Sequence, residues 1–204
     1  MEIHPPEKPI HTVKDFLLQL MTVTIGILIA LSLEGALEWS HHRTLVSEAQ
    51  ENLRHEMLDN KKEIETALHS YPNLKKNEES AMRFIGDLQA RRAKGRHELN
   101  YSYYLALPSS TSWGTAQAAG ALAYMPYDDV QRYASIYDKQ RKFDTLQDRL
   151  RESVVAAMPS DDVHNSTEQE LRDWDRRLQV SMAYLSQVEG VASSLRDEYD
   201  KALR

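Results

Sequence analysis

Residues 16–33 read FLLQLMTVTIGILIALSL, about eighteen positions without one charged side chain. At ~1.5 Å per residue, a helix over them is ~27 Å long, close to the ~30 Å hydrocarbon core of a bilayer. Each Leu, Ile, Val and Phe favours the membrane centre by about 0.3–0.6 kcal/mol, for a sum on the order of 5 kcal/mol. That sum outweighs the modest cost of Gln19, Thr22, Thr24 and Ser32. A retained single-pass membrane helix is the expectation. Lys14 and Asp15 flank it on one side and Glu34 on the other. Trp39, His41, His42 and Arg43 then fall where aromatic and basic side chains anchor a helix among headgroups. Two alternatives compete. A buried helix of a soluble core seldom runs this far without a charge. A cleaved signal peptide has a shorter apolar region, ~7–15 residues, and here the leader carries Pro5, Pro6 and Pro9.

Lys8 and Lys14 precede the span, and Arg43 is the one Lys or Arg in the first twenty residues after it. This thin excess points to a cytoplasmic N-terminus, with the bulk of the chain on the far side. The organisation expected is a tail over 1–15, a membrane helix and interfacial segment over 16–39, and a helical domain over 40–204. Cysteine is absent, which removes disulfides, thiolate metal sites and cysteine nucleophiles. A net charge of -6 argues against nucleic acid as a partner, because neutralising phosphates needs a basic surface.

Past the span the apolar residues recur at helical spacing. Leu37, Leu45, Ala49, Leu53, Met57, Ile64 and Leu68 continue the membrane helix as one long helix, which Pro72 is expected to end. Leu74, Ala81, Phe84, Ile85 and Leu88 make a second helix, stopping near Gly95 behind Arg91, Arg92 and Lys94. Residues 97–112 are irregular, with Tyr101, Tyr103 and Leu105 alternating as in a short extended piece. A helix rich in small residues starts at Trp113 behind Ser110 to Ser112 as caps, and Pro126 closes it. A further helix covers about 128–157. The last helix opens on the capping-box pair Thr167 and Glu170, and Leu171, Trp174, Leu178, Met182, Leu185, Val188, Ala192, Leu195 and Tyr199 mark its face. The fold class is thus all-α: a transmembrane helix continuing into an antiparallel bundle of about four to five helices.

Chemistry is thinly signalled. Glu38 and His41 have Glu-x-x-His spacing, yet a di-iron bundle needs that motif twice. Glu51 with His55 and Glu65 with His69 read as ordinary helix-surface pairs. No nucleophile elbow, phosphate loop or zinc-protease motif occurs, so no cofactor, metal or catalytic residue is expected. The basic run at 91–96 suits a helix end, a headgroup or an acidic partner. Ala116 and Gly120, four apart, suit tight helix packing. Thr22, Gly26 and Ala30 lie at successive fours on one side of the membrane helix, a spacing that lets two copies approach closely as a homo-oligomer. Tyr101, Tyr103, Tyr104, Trp113, Tyr124 and Tyr127 form the expected surface for a partner or ligand, with ring packing between helices as the plainer reading.

The anchor TVTIGILIALSLEGALEW and the stretch SSTSWGTAQAAGALAYMPYDDVQRYASIYDKQ together resemble an uncharacterised family of bacterial single-pass membrane proteins. The matching positions are Gly26, Ile27, Leu28, Ile29, Ala30, Leu31, Gly120, Leu122 and Tyr137. The chain departs where a Ser often precedes the central Gly and Ala119 stands instead. The resemblance implies a mostly helical protein anchored in a bacterial inner membrane, and it carries over no catalytic residue.

The function expected is a non-enzymatic, membrane-anchored interaction or scaffold module for an unidentified protein partner. A ligand-sensing domain signalling through a partner is the second reading, since a tail of ~15 residues is too short for an output domain. An enzyme in the bundle interior is the third, and it lacks a convergent set of titratable residues.

Overall fold

The computed structural model describes residues 13–90, 101–159 and 163–204. They are helical with no strand among them: α1 is Val13–Gln89, α2 Thr111–Ala118, α3 Tyr127–Ala156 and α4 Glu168–Ala202. Short 3-10 turns cover Ala121–Tyr124 and Val163–Asn165. The chain divides into two compact units, Met1–Glu48 and Ala49–Arg204.

In the second unit, most buried positions of the three long helices alternate by three and four, with Phe84, Tyr137 and Ser153 buried beside that seam. On α1 they are Leu53, Met57, Asn60, Ile64, Ala67, Tyr71, Leu74, Glu78, Ala81 and Ile85. On α3 Ile136, Gln140, Phe143, Gln147, Leu150 and Val154 keep the same step, and on α4 it runs from Leu171 through Ser181 to Tyr199. A repeat of 3.5 residues is what keeps a seam facing its neighbours along several turns of helix. Cross-links fix the directions. Ser181 meets Glu78 and Asp200 meets Lys61, so α4 runs opposite to α1. The Trp174 indole donates to the Ala157 carbonyl at 2.7 Å, which brings the start of α4 to the end of α3.

Pro72 does not end the first helix. It lies inside α1, which absorbs the helix expected from Leu74 onward. An internal proline loses one backbone hydrogen bond and crowds the preceding turn, at a cost of ~3 kcal/mol. Here its neighbours Tyr71 and Leu74 are both core residues, while Pro72 itself faces solvent. Burial of large side chains on both sides of the proline, worth about 1.5–3 kcal/mol each, outweighs the break. The expected stop near Gly95 and the basic run at 91–96 lie outside the described residues.

The helix expected from Trp113 to Pro126 is broken at Gly120, whose φ of +74° is left-handed. Gly120 therefore serves a turn. The packing role expected for it with Ala116 is not what is found, since an added Cβ would meet nothing within 4 Å. Neither does Ser110 cap α2 through its side chain. Glu56 of α1 does so instead, accepting from the Ser112 amide at 2.8 Å, and a carboxylate suits the positive end of a helix. At α4 the capping box forms as the sequence predicts: the Glu170 amide donates to the Thr167 hydroxyl, and the Thr167 amide donates to Glu170 at 2.7 Å.

Candidate functional site

Within the first unit, α1 contains an apolar window of mean hydropathy 2.3, none of it buried, long and apolar enough to cross a membrane. Its hydroxyls are satisfied internally. Thr22 donates to the Leu18 carbonyl at 2.9 Å, Thr24 to Leu20 at 2.8 Å and Ser32 to Leu28 at 2.7 Å. Such back-bonding removes polar groups that hydrocarbon cannot solvate. Thr22, Gly26 and Ala30 are exposed along this helix, and nothing lies within 4 Å of a Cβ built at Gly26. Beyond Leu33, the Arg43 guanidinium sits 5.4 Å above the Trp39 ring, a cation–π contact. Glu38 and His42 lie 4.0 Å apart across one turn, and the His41 and His42 rings are 6.1 Å apart.

In the second unit a non-helical strap, residues 101–110, is held by side chains of α1 and α3. Gln147 grips the Ala106 peptide from both sides, accepting from its N–H at 2.9 Å and donating to its carbonyl at 2.8 Å. Asn60 grips Ser109 in the same way, at 2.7 Å for each bond. Ser70 accepts from the Tyr104 amide and Glu63 from the Leu107 amide. Two carboxamides thus do for the strap what a neighbouring strand would do in a sheet. Ala106 is buried, whereas Leu107 is 80% exposed, so α1 and α3 hold the strap by its backbone and one small side chain. Gln140 ties the strap to the seam: it donates to the Ser109 carbonyl and accepts from Asn60 and from the Tyr199 hydroxyl.

The six aromatic residues expected to form one surface differ in environment. Tyr101 and Tyr103 are half-buried against the core. Trp113 is buried and stacks on Tyr137 at 5.3 Å, and the Tyr137 hydroxyl donates to Glu56 at 2.7 Å. Tyr104 bonds Glu63 through its hydroxyl, and that carboxylate raises the pKa of the phenol. Tyr124 and Tyr127 are 51% and 72% exposed. A groove of about 570 Å³ opens elsewhere, between α3 and α4, lined by Arg141, Lys142, Leu146 and Val191 among others. None of the six rings lines it.

The most unusual chemistry lies in the core, at a residue that periodicity passed over. Glu78 occupies a seam position with 0% exposure. One carboxylate oxygen accepts from the Ser181 hydroxyl, and the other has no hydrogen-bond partner. The Tyr71 and Tyr103 hydroxyls are likewise buried without partners. Burial penalises the charged carboxylate and pushes the Glu78 pKa up to about 7, against a smaller opposing pull from Ser181. The same desolvation raises Tyr101 and Tyr103 to about 12. The layer also divides the core. Residues through Leu74 on α1 and from Leu185 on α4 belong to one apolar cluster, and Ala81 and Leu178 belong to another. Tyr101 packs against both. Among the described residues no three His, Asp or Glu side chains gather as a metal site would need.

No family model matches the chain, and no curated protein or solved structure matches it either.

Proposed function

We propose that the protein is a membrane-anchored helical interaction or scaffold module, non-enzymatic, that presents the unit of residues 49–204 to a protein partner. The observation that carries this reading is the unburied apolar window of α1, with mean hydropathy 2.3, in a chain whose other long helices bury their apolar stripes. Lipid is the solvent that suits such a surface, because the hydroxyls of Thr22, Thr24 and Ser32 are already bonded within the helix. Trp39 and Arg43 suit the headgroup zone that follows. The resemblance of the anchor to bacterial single-pass proteins supports a bacterial inner membrane. The lysines at 8 and 14 favour a cytoplasmic N-terminus with the bundle outside the cytoplasm. Self-association through Thr22, Gly26 and Ala30 is part of the same reading.

Crosslinking in native membranes, followed by identification of the captured chains, tests the partner. Protease added to the outer face of spheroplasts tests the orientation. Digestion of the bundle from outside supports it, and full protection reverses it.

A further inference from the structure

Arg43 is the first Lys or Arg beyond the apolar run of α1, and its side chain turns back along the helix toward that run. Its guanidinium lies 5.4 Å from the centre of the Trp39 ring, one turn nearer the N-terminus. Trp39 stands six residues past Leu33, which puts it ~9 Å along the axis from the last apolar position. A headgroup layer is ~5–8 Å thick on each side of the hydrocarbon core, so the charge is held at the outer edge of that layer. Extended away from the span, the same guanidinium would stand in water. Among the described residues no carboxylate lies within ion-pair distance of Arg43, and the Trp39 ring is its one contact. An aromatic face attracts a cation without neutralising it.

The charges nearby are sorted by side. At ~100° per residue, Trp39 and Arg43 share one face of α1, and Glu34, Glu38 and Glu48 share another, roughly 160° round the helix. Glu38 lies 4.0 Å from His42. On the Trp39 side the residues toward the span are small: Ser32, Gly35 and Ala36. A Cβ built at Gly35 would meet nothing within 4 Å. The glycerol of a lipid can therefore come close to the helix there, with its phosphate beside the guanidinium.

We propose that Trp39 and Arg43 form a site for the phosphodiester of an anionic lipid, of the phosphatidylglycerol class. The inference rests on the membrane reading of α1 and names the lipid which that reading leaves open. The planar guanidinium fork matches two oxygens of a phosphodiester. Phosphatidylcholine carries its own ammonium beside the phosphate, which offsets the attraction, whereas phosphatidylglycerol carries none. Trp39 is the positioning residue, holding the cation at headgroup height on the face away from the acids. One basic residue near an anionic lipid surface favours association about fivefold.

The test is quenching of Trp39 fluorescence in the full chain, reconstituted at pH 8 in phosphatidylcholine vesicles. The probes are phosphatidylglycerol or phosphatidylcholine bearing a nitroxide on the fifth acyl carbon, close to the glycerol. Trp113 and Trp174 are buried in the core, so quenching reports Trp39. In the wild type the phosphatidylglycerol probe should bind beside Trp39 about fivefold more strongly than the phosphatidylcholine probe. In Arg43→Gln the ratio should fall to about one. It should stay there when His41→Arg is added to Arg43→Gln, because that restores the charge on the other side of the helix. Equal quenching by the two probes in the wild type overturns the proposal and leaves the membrane reading standing. A preference that survives Arg43→Gln overturns it, as does one regained with His41→Arg, which would show that a charge anywhere on this turn suffices. Quenching by neither probe overturns the membrane reading and the lipid site with it.

Discussion

The Ser181 hydroxyl donates to the Glu78 carboxylate at the level where the apolar core of residues 49–204 parts into two clusters. This bond joins two seam positions on helices that run in opposite directions. It is therefore both a register mark and a weak point. A polar pair in a seam disfavours slipped alignments, because any shift would strand the carboxylate against hydrocarbon.

Stability should fall as pH rises through the neutral range. Glu78 titrates near 4.5 when unfolded and at about 7 when buried. Below pH 4.5 it is protonated in both states and costs nothing. Between 4.5 and 7 the unfolded chain releases its proton first, so folding loses on the order of 3 kcal/mol, and above 7 the loss is complete. Asp144, raised to about 6 by burial and by Asp148, adds a loss of the same sign at lower pH. Urea unfolding in detergent micelles at several pH values should show the decline. Glu78→Gln should flatten its upper part and be the more stable protein at pH 8. An unchanged slope in the variant would contradict the burial argument.

The strap depends on two carboxamides. Gln147→Ala strands both polar groups of the Ala106 peptide and should cost about 2–4 kcal/mol. Ala106→Leu forces a large side chain into a filled site and should cost about 1–3 kcal/mol. Denaturant midpoints with an unchanged m-value would report both. Losses below about 0.5 kcal/mol would mean that the strap does not contribute to the folded state.

At Gly120 the backbone, rather than space, sets the residue. Gly120→Ala puts a side chain at φ +74° and should cost about 1 kcal/mol, with no added steric loss because the Cβ position is open. A loss of 3 kcal/mol or more would restore a close-packing role.

Gly26→Ile tests the membrane helix as an interface. The substitution meets no atom within the chain, so the single helix should tolerate it. Association in a membrane-dimerisation assay should fall by about tenfold or more if Thr22, Gly26 and Ala30 form the contact. Unchanged association removes them as that contact.

The sequence was most readable where polarity and position agree. On α4 the apolar residues occupy nearly every seam position and the capping box is local, so its start and face follow from spacing alone. Even there the spacing predicts Met182 on the face, whereas its neighbour Ser181 holds the buried position. On α1 and α3 the seam hides behind Asn60, Glu78, Gln140 and Gln147. A hydrophobic pattern skips these residues because their partners lie on other elements. The signal that finds them is the alternation of three and four, which counts a polar residue as a seat. Pro72 misled because its local cost is real and is outweighed by packing from far along the chain. The strap was legible as irregular backbone and no further. The groups that hold it lie about 31–56 residues away in sequence, on α1 and α3, whose own patterns give no sign of them.

Flotation of the full, uncleaved chain with lipid vesicles tests the account most directly. The wild type should rise with the vesicles and resist alkaline carbonate. A variant carrying Ile25→Lys and Leu28→Lys should stay at the bottom of the gradient, with its bundle folded, because each lysine at the membrane centre costs about 2.5–3.5 kcal/mol against a gain of about 5. An intact wild-type chain that remains monodisperse at the bottom beside its variant would contradict a helix solvated by lipid.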